Sequence, residues 1–142
     1  MEINGIAHVF LTVSDFEKAR PFYTSLLSFL GLRPMIDGDG YLYYVGGRTA
    51  VGVVRCDDAH ARERFAQFRV GLHHLCFRAR ERADVDALYE HLQSIGATIV
   101  HPPEEGAWMP GYYSVLFEDP DGIRLEVNHV PGKGFFAEPT AG

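Results

Sequence analysis

Apolar and polar positions along this chain change rhythm in an order that occurs twice. Ile6-Ala7-His8-Val9-Phe10-Leu11-Thr12-Val13 alternates, with Val9, Leu11 and Val13 on one parity. Leu72-His73-His74-Leu75-Cys76-Phe77-Arg78-Ala79 repeats the alternation without a gap, with Leu75, Phe77 and Ala79 on the matching parity. A period of two predicts strands. A period near 3.6 then takes over in each copy and predicts a helix. In the first copy it runs through Phe16, Ala19, Phe22, Tyr23, Leu26, Leu27 and Leu30; in the second, through Val85, Leu88, Leu92 and Ile95. Ser14-Asp15-Phe16-Glu17 fits a capping box at the start of the first helix. Pro21 sits early enough for a first turn or a mild kink. Gly31 and Gly96 are natural stops, because glycine takes the left-handed conformation a helix end requires. His8 lies 23 residues before Gly31, and His74 lies 22 before Gly96. Chance gives such agreement rarely, so the chain reads as one unit used twice.

Three further strands are expected after each helix. They lie around Arg33–Ile36, Tyr41–Val45 and Thr49–Arg55, then around Thr98–His101, Tyr113–Glu118 and Arg124–Val130. Gly38-Asp39-Gly40, Gly46-Gly47 and Asp119-Pro120-Asp121-Gly122 supply turn chemistry between them. Each unit is thus βαβββ, and the fold class is α+β. The expected organisation is a single domain: module 1 over about 3–56, a linker at 57–69 read as a short polar helix, and module 2 over about 70–130. The tail 131–142, rich in Gly and Pro and carrying Phe135 and Phe136, is either frayed or a flap over a pocket.

Composition narrows the function. The 142 residues are 46% hydrophobic and 23% charged, ordinary for a globular domain, and carry a formal net charge of −6. No run of Lys and Arg exists to follow phosphates or an anionic lipid surface, so nucleic acid and membrane are not expected partners. No stretch is apolar enough to span a bilayer, and the first residues have no basic head. Cys56 and Cys76 make no disulfide framework. Reduced thiols and a cytoplasmic location are expected.

Strand parity places the candidate chemistry. If Val9, Leu11 and Val13 face the helices, His8, Phe10 and Thr12 share the other face. By the same argument His74 and Cys76 face away from Leu75 and Phe77, and Arg124, Glu126 and Asn128 face away from Leu125 and Val127. His8, His74 and Glu126 are then the metal candidates: two imidazoles and a carboxylate leave open positions on an octahedral cation. One divalent ion is expected, with Fe, Mn, Co, Ni and Zn not distinguished. Any one of the three alone is more readily a hydrogen-bonded core residue, or for Glu126 a partner of Arg78 or Arg124; at matching repeat positions they form a set. His73 has the wrong parity and is read as structural or as a second choice. Trp108, in the aromatic stretch Pro102–Tyr113, either walls a pocket or anchors a loop in the core.

Ile6–Val13, Phe22-Tyr23 with Leu30-Gly31-Leu32, Leu72–Phe77 and Asp119-Pro120-Asp121-Gly122-Ile123-Arg124-Leu125-Glu126-Val127 together resemble the vicinal oxygen chelate superfamily. That group includes glyoxalase I, bleomycin-resistance proteins, fosfomycin-resistance thiol transferases and extradiol dioxygenases. The resemblance implies curled mixed sheets forming half-barrels, with helices on the outer face and metal ligands on the first and last strands of each unit. It also implies a homodimer, with half-barrels paired within a chain or between swapped chains. Carried over by position, the ligands are His8, a residue near Val51 or Gly52, His74 and Glu126. No Asp, Glu or His occurs between Tyr41 and Cys56, so the carboxylate glyoxalase I uses there is missing. The remaining set resembles that of fosfomycin transferases and extradiol dioxygenases. The implied function is a metal-dependent enzyme acting on a small oxygen-rich molecule by lyase, dioxygenase or thiol-transfer chemistry. Tyr43, Tyr113 and His101 are the acid, base and orienting candidates, with Tyr112 also available, and Phe10, Trp108, Arg124 and Asn128 the pocket candidates. The alternative is a metal-free protein that sequesters a small molecule, as bleomycin-resistance proteins do, in a groove lined by Phe10, Tyr43, Trp108 and Tyr113.

Overall fold

The computed structural model describes residues 1–132, so any flap at Phe135 and Phe136 lies outside the described residues. The elements are β1 (His8–Val13), α1 (Phe16–Phe29), β2 (Arg33–Gly38), β3 (Tyr41–Val45), β4 (Ala50–Arg55), β5 (Leu75–Arg78), α2 (Arg82–Ser94), β6 (Thr98–Glu105), β7 (Tyr113–Glu118) and β8 (Arg124–His129). They form two four-stranded mixed sheets with orders β1-β4-β3-β2 and β5-β8-β7-β6. The two βαβββ modules anticipated from the hydrophobic rhythm are therefore both present. Two compact units result, one built on residues 1–66 with Asp119–Ile123, the other on 67–118 with the described residues from Arg124 to 132.

In the first unit, Leu11, Val13, Leu42, Tyr44, Val51 and Val53 are buried with Phe16, Ala19, Tyr23, Leu26 and Leu27 of α1. Burying such side chains contributes about 1.5–3 kcal/mol each and fixes which face of the sheet turns inward. The helix is capped by Asp15, whose carboxylate accepts from the Lys18 N–H, one residue later than expected. Ser14 instead donates through both its amide and its hydroxyl to Asp121. The turn Asp119-Pro120-Asp121-Gly122 is thus part of this unit although it lies late in the chain.

In the second unit Phe117, Val115, Leu125 and Val127 are buried with Val85, Leu88 and Leu92 of α2. Both helices stop the same way. Gly31 and Gly96 take positive φ, and the next residues, Leu32 and Ala97, donate back to the carbonyls of Leu27 and Leu92.

Three expectations differ in detail. The linker is no regular helix but a short 3-10 turn, Asp58–His60, followed by irregular chain. β6 continues through Pro102 and Pro103 to Glu105, because register shifts on either side of His101 place the prolines where no ladder N–H is needed. β5 begins only at Leu75, so His73 and His74 precede the strand.

Candidate functional site

Pairing register shows which side chains share each sheet's open face, the face away from its helix. In the second unit Cys76 pairs with Glu126, Glu126 with Leu116, and Leu116 with His101, so all four share one face. Asn128 pairs with Arg78 and Ser114 on the same face. Among the described residues Glu126, 8% exposed, is a buried carboxylate, as are Asp119 and Asp121. Asp119 accepts from the turn amides of Asp121 and Ile123 and from the Tyr23 hydroxyl, and Asp121 accepts from the amide and hydroxyl of Ser14. Glu126 instead sits on the open face with functional-group neighbours. The Tyr112 hydroxyl donates to its Oε1, and His74 Nε2 stands 3.3 Å from its Oε2. On its other side the His74 ring meets His73, Nδ1 to Nδ1, at 2.7 Å.

Two thiol and phenol groups beside this carboxylate stay protonated at neutral pH. Burial, and then its hydrogen bond to Glu126, push the Tyr112 phenol up to about 12. Cys76 is an exposed residue that pairs with Glu126 across β5 and β8. Partial burial of its thiol, with the Glu126 charge beside it, pushes it up to about 12. A thiol held there is a poor nucleophile and a poor ligand.

The first unit's open face is built differently. His8 and Phe10 are exposed on it, their rings edge-to-face at 5.3 Å. Phe10 stacks on Tyr43 at 5.7 Å and leans on Tyr41 at 5.9 Å. Phe10 pairs with Gly52, and a Cβ on Gly52 would lie 2.2 Å from the Phe10 ring. The repeat makes Phe10 the counterpart of Cys76 and Gly52 the counterpart of Glu126. The position that could have held a first-unit carboxylate is therefore a bare backbone roofed by an aromatic ring.

The other sequence candidates fall in different places. Tyr113 lies on the helix side of β7, where its hydroxyl donates to Asp86 at 2.6 Å and the Arg82 guanidinium sits 3.6 Å from its ring centroid. Tyr112, its neighbour, is the tyrosine brought to Glu126. His101 shares the Glu126 face two strands away, with Nδ1 at 2.8 Å from the Pro102 carbonyl and 3.5 Å from Glu104. Arg124 is paired with Glu118 at 3.0 Å, and Arg78 donates to the carbonyls of Val130 and Gly132. Trp108 is 84% exposed, so it does not anchor its loop in a core. Tyr43 stays on the aromatic face of the first unit, and Asn128 lies on the Glu126 face, paired with Arg78 and Ser114.

Sequence reasoning left Tyr112 among several unplaced candidates and gave His73 only second place. Alternation was applied to His73 although it lies before the strand, where parity no longer governs direction. Tyr112 follows Gly111, which takes positive φ, and its amide and carbonyl close the loop 106–112 through Met109 and Gly106. Gly106 could have signalled it: a Cβ there would strike the Tyr112 ring at 2.9 Å.

The donor chemistry can be tested against a cation. Among the described residues no group of three or more His, Cys, Asp and Glu is gathered closely enough to hold a metal. His74 and Glu126 supply two donors. Atoms each about 2.0–2.1 Å from one ion are about 3.0 Å apart at right angles and about 3.4 Å apart at tetrahedral angles. The observed 3.3 Å falls within that interval, so this pair fits two positions of one coordination sphere.

Comparison with known proteins agrees with the architecture. The chain is 31% identical over 124 residues to the uncharacterized protein YqjT of Bacillus subtilis (strain 168), covering 84% of this chain and 94% of that one. It is 30% identical over 126 residues to the metallothiol transferase FosB of Shouchella clausii (strain KSM-K16), covering 89% and 80%. A crystal structure of a candidate glyoxalase from Bacillus halodurans superposes with a TM-score of 0.78 at 31% identity, covering 89% of this chain and 97% of that one. The sequence profile described as the Glyoxalase/Bleomycin resistance protein/Dioxygenase superfamily matches residues 5–127, and the chain belongs to that superfamily.

Proposed function

We propose that this protein is a divalent-metal-dependent enzyme acting on a small molecule with neighbouring oxygen atoms. The observation that carries the reading is the approach of His74 Nε2 to Glu126 Oε2 at 3.3 Å on an open sheet face. His74 and Glu126 would hold the ion, and His8, the repeat counterpart of His74, is the third donor proposed, with a homodimer as the expected assembly. When bound, the ion supplies Lewis-acid stabilisation of negative charge developing on substrate oxygens.

The chain's own groups have separate work. Tyr112 keeps its proton and donates to Glu126, which holds the carboxylate's orientation. Asn128 and His101, on the same face, are placed to orient substrate, His101 at roughly 10 Å from Glu126 by two strand spacings. No carboxylate is available at Gly52 to take a proton from carbon, so the glyoxalase I route lacks its base. The metallothiol transferase among the relatives supports thiol transfer as the first reaction to assay.

A second reading, metal-free sequestration of an aromatic molecule, is favoured by one observation: the exposed Phe10 ring stacked on Tyr43. Elemental analysis of protein purified without chelator separates the two. About one equivalent of metal is expected in the wild type, lost in His74→Ala and Glu126→Ala and weakened in His8→Ala. Metal-free wild type that takes up no Mn, Fe, Co, Ni or Zn overturns the enzyme reading.

A further inference from the structure

The loop 106–112 brings Tyr112 to Glu126, yet its largest side chain gives it no anchor: Trp108 is 84% exposed. Inside the loop, the Gly106 amide donates to the Tyr112 carbonyl at 3.0 Å and the Tyr112 amide to the Met109 carbonyl at 3.1 Å. A hold from outside comes from the chain leaving β8. A Cβ built on Gly111 would stand 2.5 Å from Pro131 Cγ and 2.8 Å from its Cδ. The proline ring therefore lies directly against the backbone of the residue before Tyr112. Gly111 also takes a φ of +75°, a conformation glycine adopts without strain.

Pro131 is fixed by what flanks it. Arg78 Nη2, at the end of β5, donates to the carbonyls of Val130 and Gly132, at 3.0 Å each. Hydrogen bonds from a charged donor are the stronger kind. Gripping the carbonyls on both sides of one proline, whose own φ is locked, sets the direction of its ring. Contact then runs from Arg78 to Pro131, to Gly111, and through Tyr112 to Glu126, all within the second unit.

We propose that Arg78 is a positioning residue: by clasping the carbonyls of Val130 and Gly132 it seats Pro131 on Gly111 and so holds the Tyr112 loop at Glu126. The consequence for a metal rests on the function proposed above; the hold on the loop does not.

The test uses the full chain. In amide hydrogen exchange followed by NMR, Gly106 and Tyr112 should exchange about 3–10-fold faster in Arg78→Ala and in Pro131→Ala. Amides of α2, such as that of Leu88, should keep their wild-type rates. Arg78→Lys, whose ammonium can still donate to carbonyls, should recover most of the protection. Titration with Co(II) alone, followed by its visible absorption, should show about 2–10-fold weaker binding in Arg78→Ala and Pro131→Ala, recovered in Arg78→Lys. Unchanged exchange at Gly106 and Tyr112 in both alanine variants overturns the inference. Exchange accelerated equally in α2 overturns it too, since Arg78 would then only support the fold as a whole. A loosened loop with wild-type Co(II) affinity and spectrum denies that the clasp reaches Glu126, and also overturns it. A wild type that takes up no Co(II), with loop exchange altered as stated, supports the clasp and overturns the proposed function instead.

Discussion

Replacing Asp119 by asparagine should flatten part of the protein's pH dependence of stability. Asp119 is 4% exposed and accepts from the Tyr23 hydroxyl at 2.7 Å and from the amides of Asp121 and Ile123 at 2.8 Å each. Burial outweighs these donors, and with the nearby Asp121 charge it pushes the carboxyl up from 3.8 to about 6. The folded chain therefore holds this proton more tightly than the unfolded chain. Stability from Asp119 is full below the unfolded value and is lost as pH rises through about 6. At 1.36 kcal/mol per pH unit the loss is at most about 3 kcal/mol. In Asp119→Asn the side chain stays neutral. Its Oδ1 can still accept the two amides, and its NH2 can donate to the Tyr23 oxygen. Urea unfolding at a series of pH values from about 4 to about 7.5 gives the comparison. Relative to wild type, the variant should gain up to about 3 kcal/mol across that range. A difference that does not vary with pH refutes the reasoning. A variant that loses ground as pH rises refutes it more sharply, since the donors would then have outweighed burial.

Two other substitutions test the open faces. Gly52→Ala places a Cβ where the Phe10 ring lies, so the ring must leave Tyr43; thermal unfolding should show a loss of about 0.5–1.5 kcal/mol, and an unchanged midpoint would deny the stack any part in stability. Tyr113→Phe removes an exposed hydrogen bond to Asp86 on the helix side, so its stability should change by less than about 0.5 kcal/mol and its Co(II) titration should match wild type. A Tyr113→Phe variant that binds Co(II) more weakly than wild type would show that the wrong tyrosine has been placed at the carboxylate.

Much of the architecture was legible because it is encoded locally. Alternation, helical stripes and the two terminating glycines each demand little beyond their own segment. The bounds of β3 and β7 match the expected ranges for this reason. Expectations drifted where a distant partner decides. Ser14 was read as a cap, yet Asp121, more than a hundred residues away, takes both its donors. The linker was read as a helix from its polarity, but no apolar stripe obliges it to pack as one. In the site, His8 and His74 stood out through repeat equivalence and Glu126 through strand parity, while Tyr112 and His73 did not. Both lie one or two residues outside a strand, where period-two arguments stop and only the folded backbone sets direction.

The same repeat explains why the two open faces diverged so completely. Glu126 and Gly52 occupy equivalent positions, as do Cys76 and Phe10. A carboxylate in the first unit and an aromatic ring at Phe10 cannot coexist, because the ring fills the space into which any side chain at Gly52 must grow. The exchange is therefore one coupled change of two residues. It removes a charge from one face and concentrates ionisable donors on the other, around Glu126. Desolvating a carboxylate is costly unless it is paired and hydrogen-bonded. Glu126 meets that condition through His74 and Tyr112. The first unit avoids the cost by having no carboxylate there. Charge-based chemistry then belongs to the second unit's face, and contact with flat apolar surface to the first unit's.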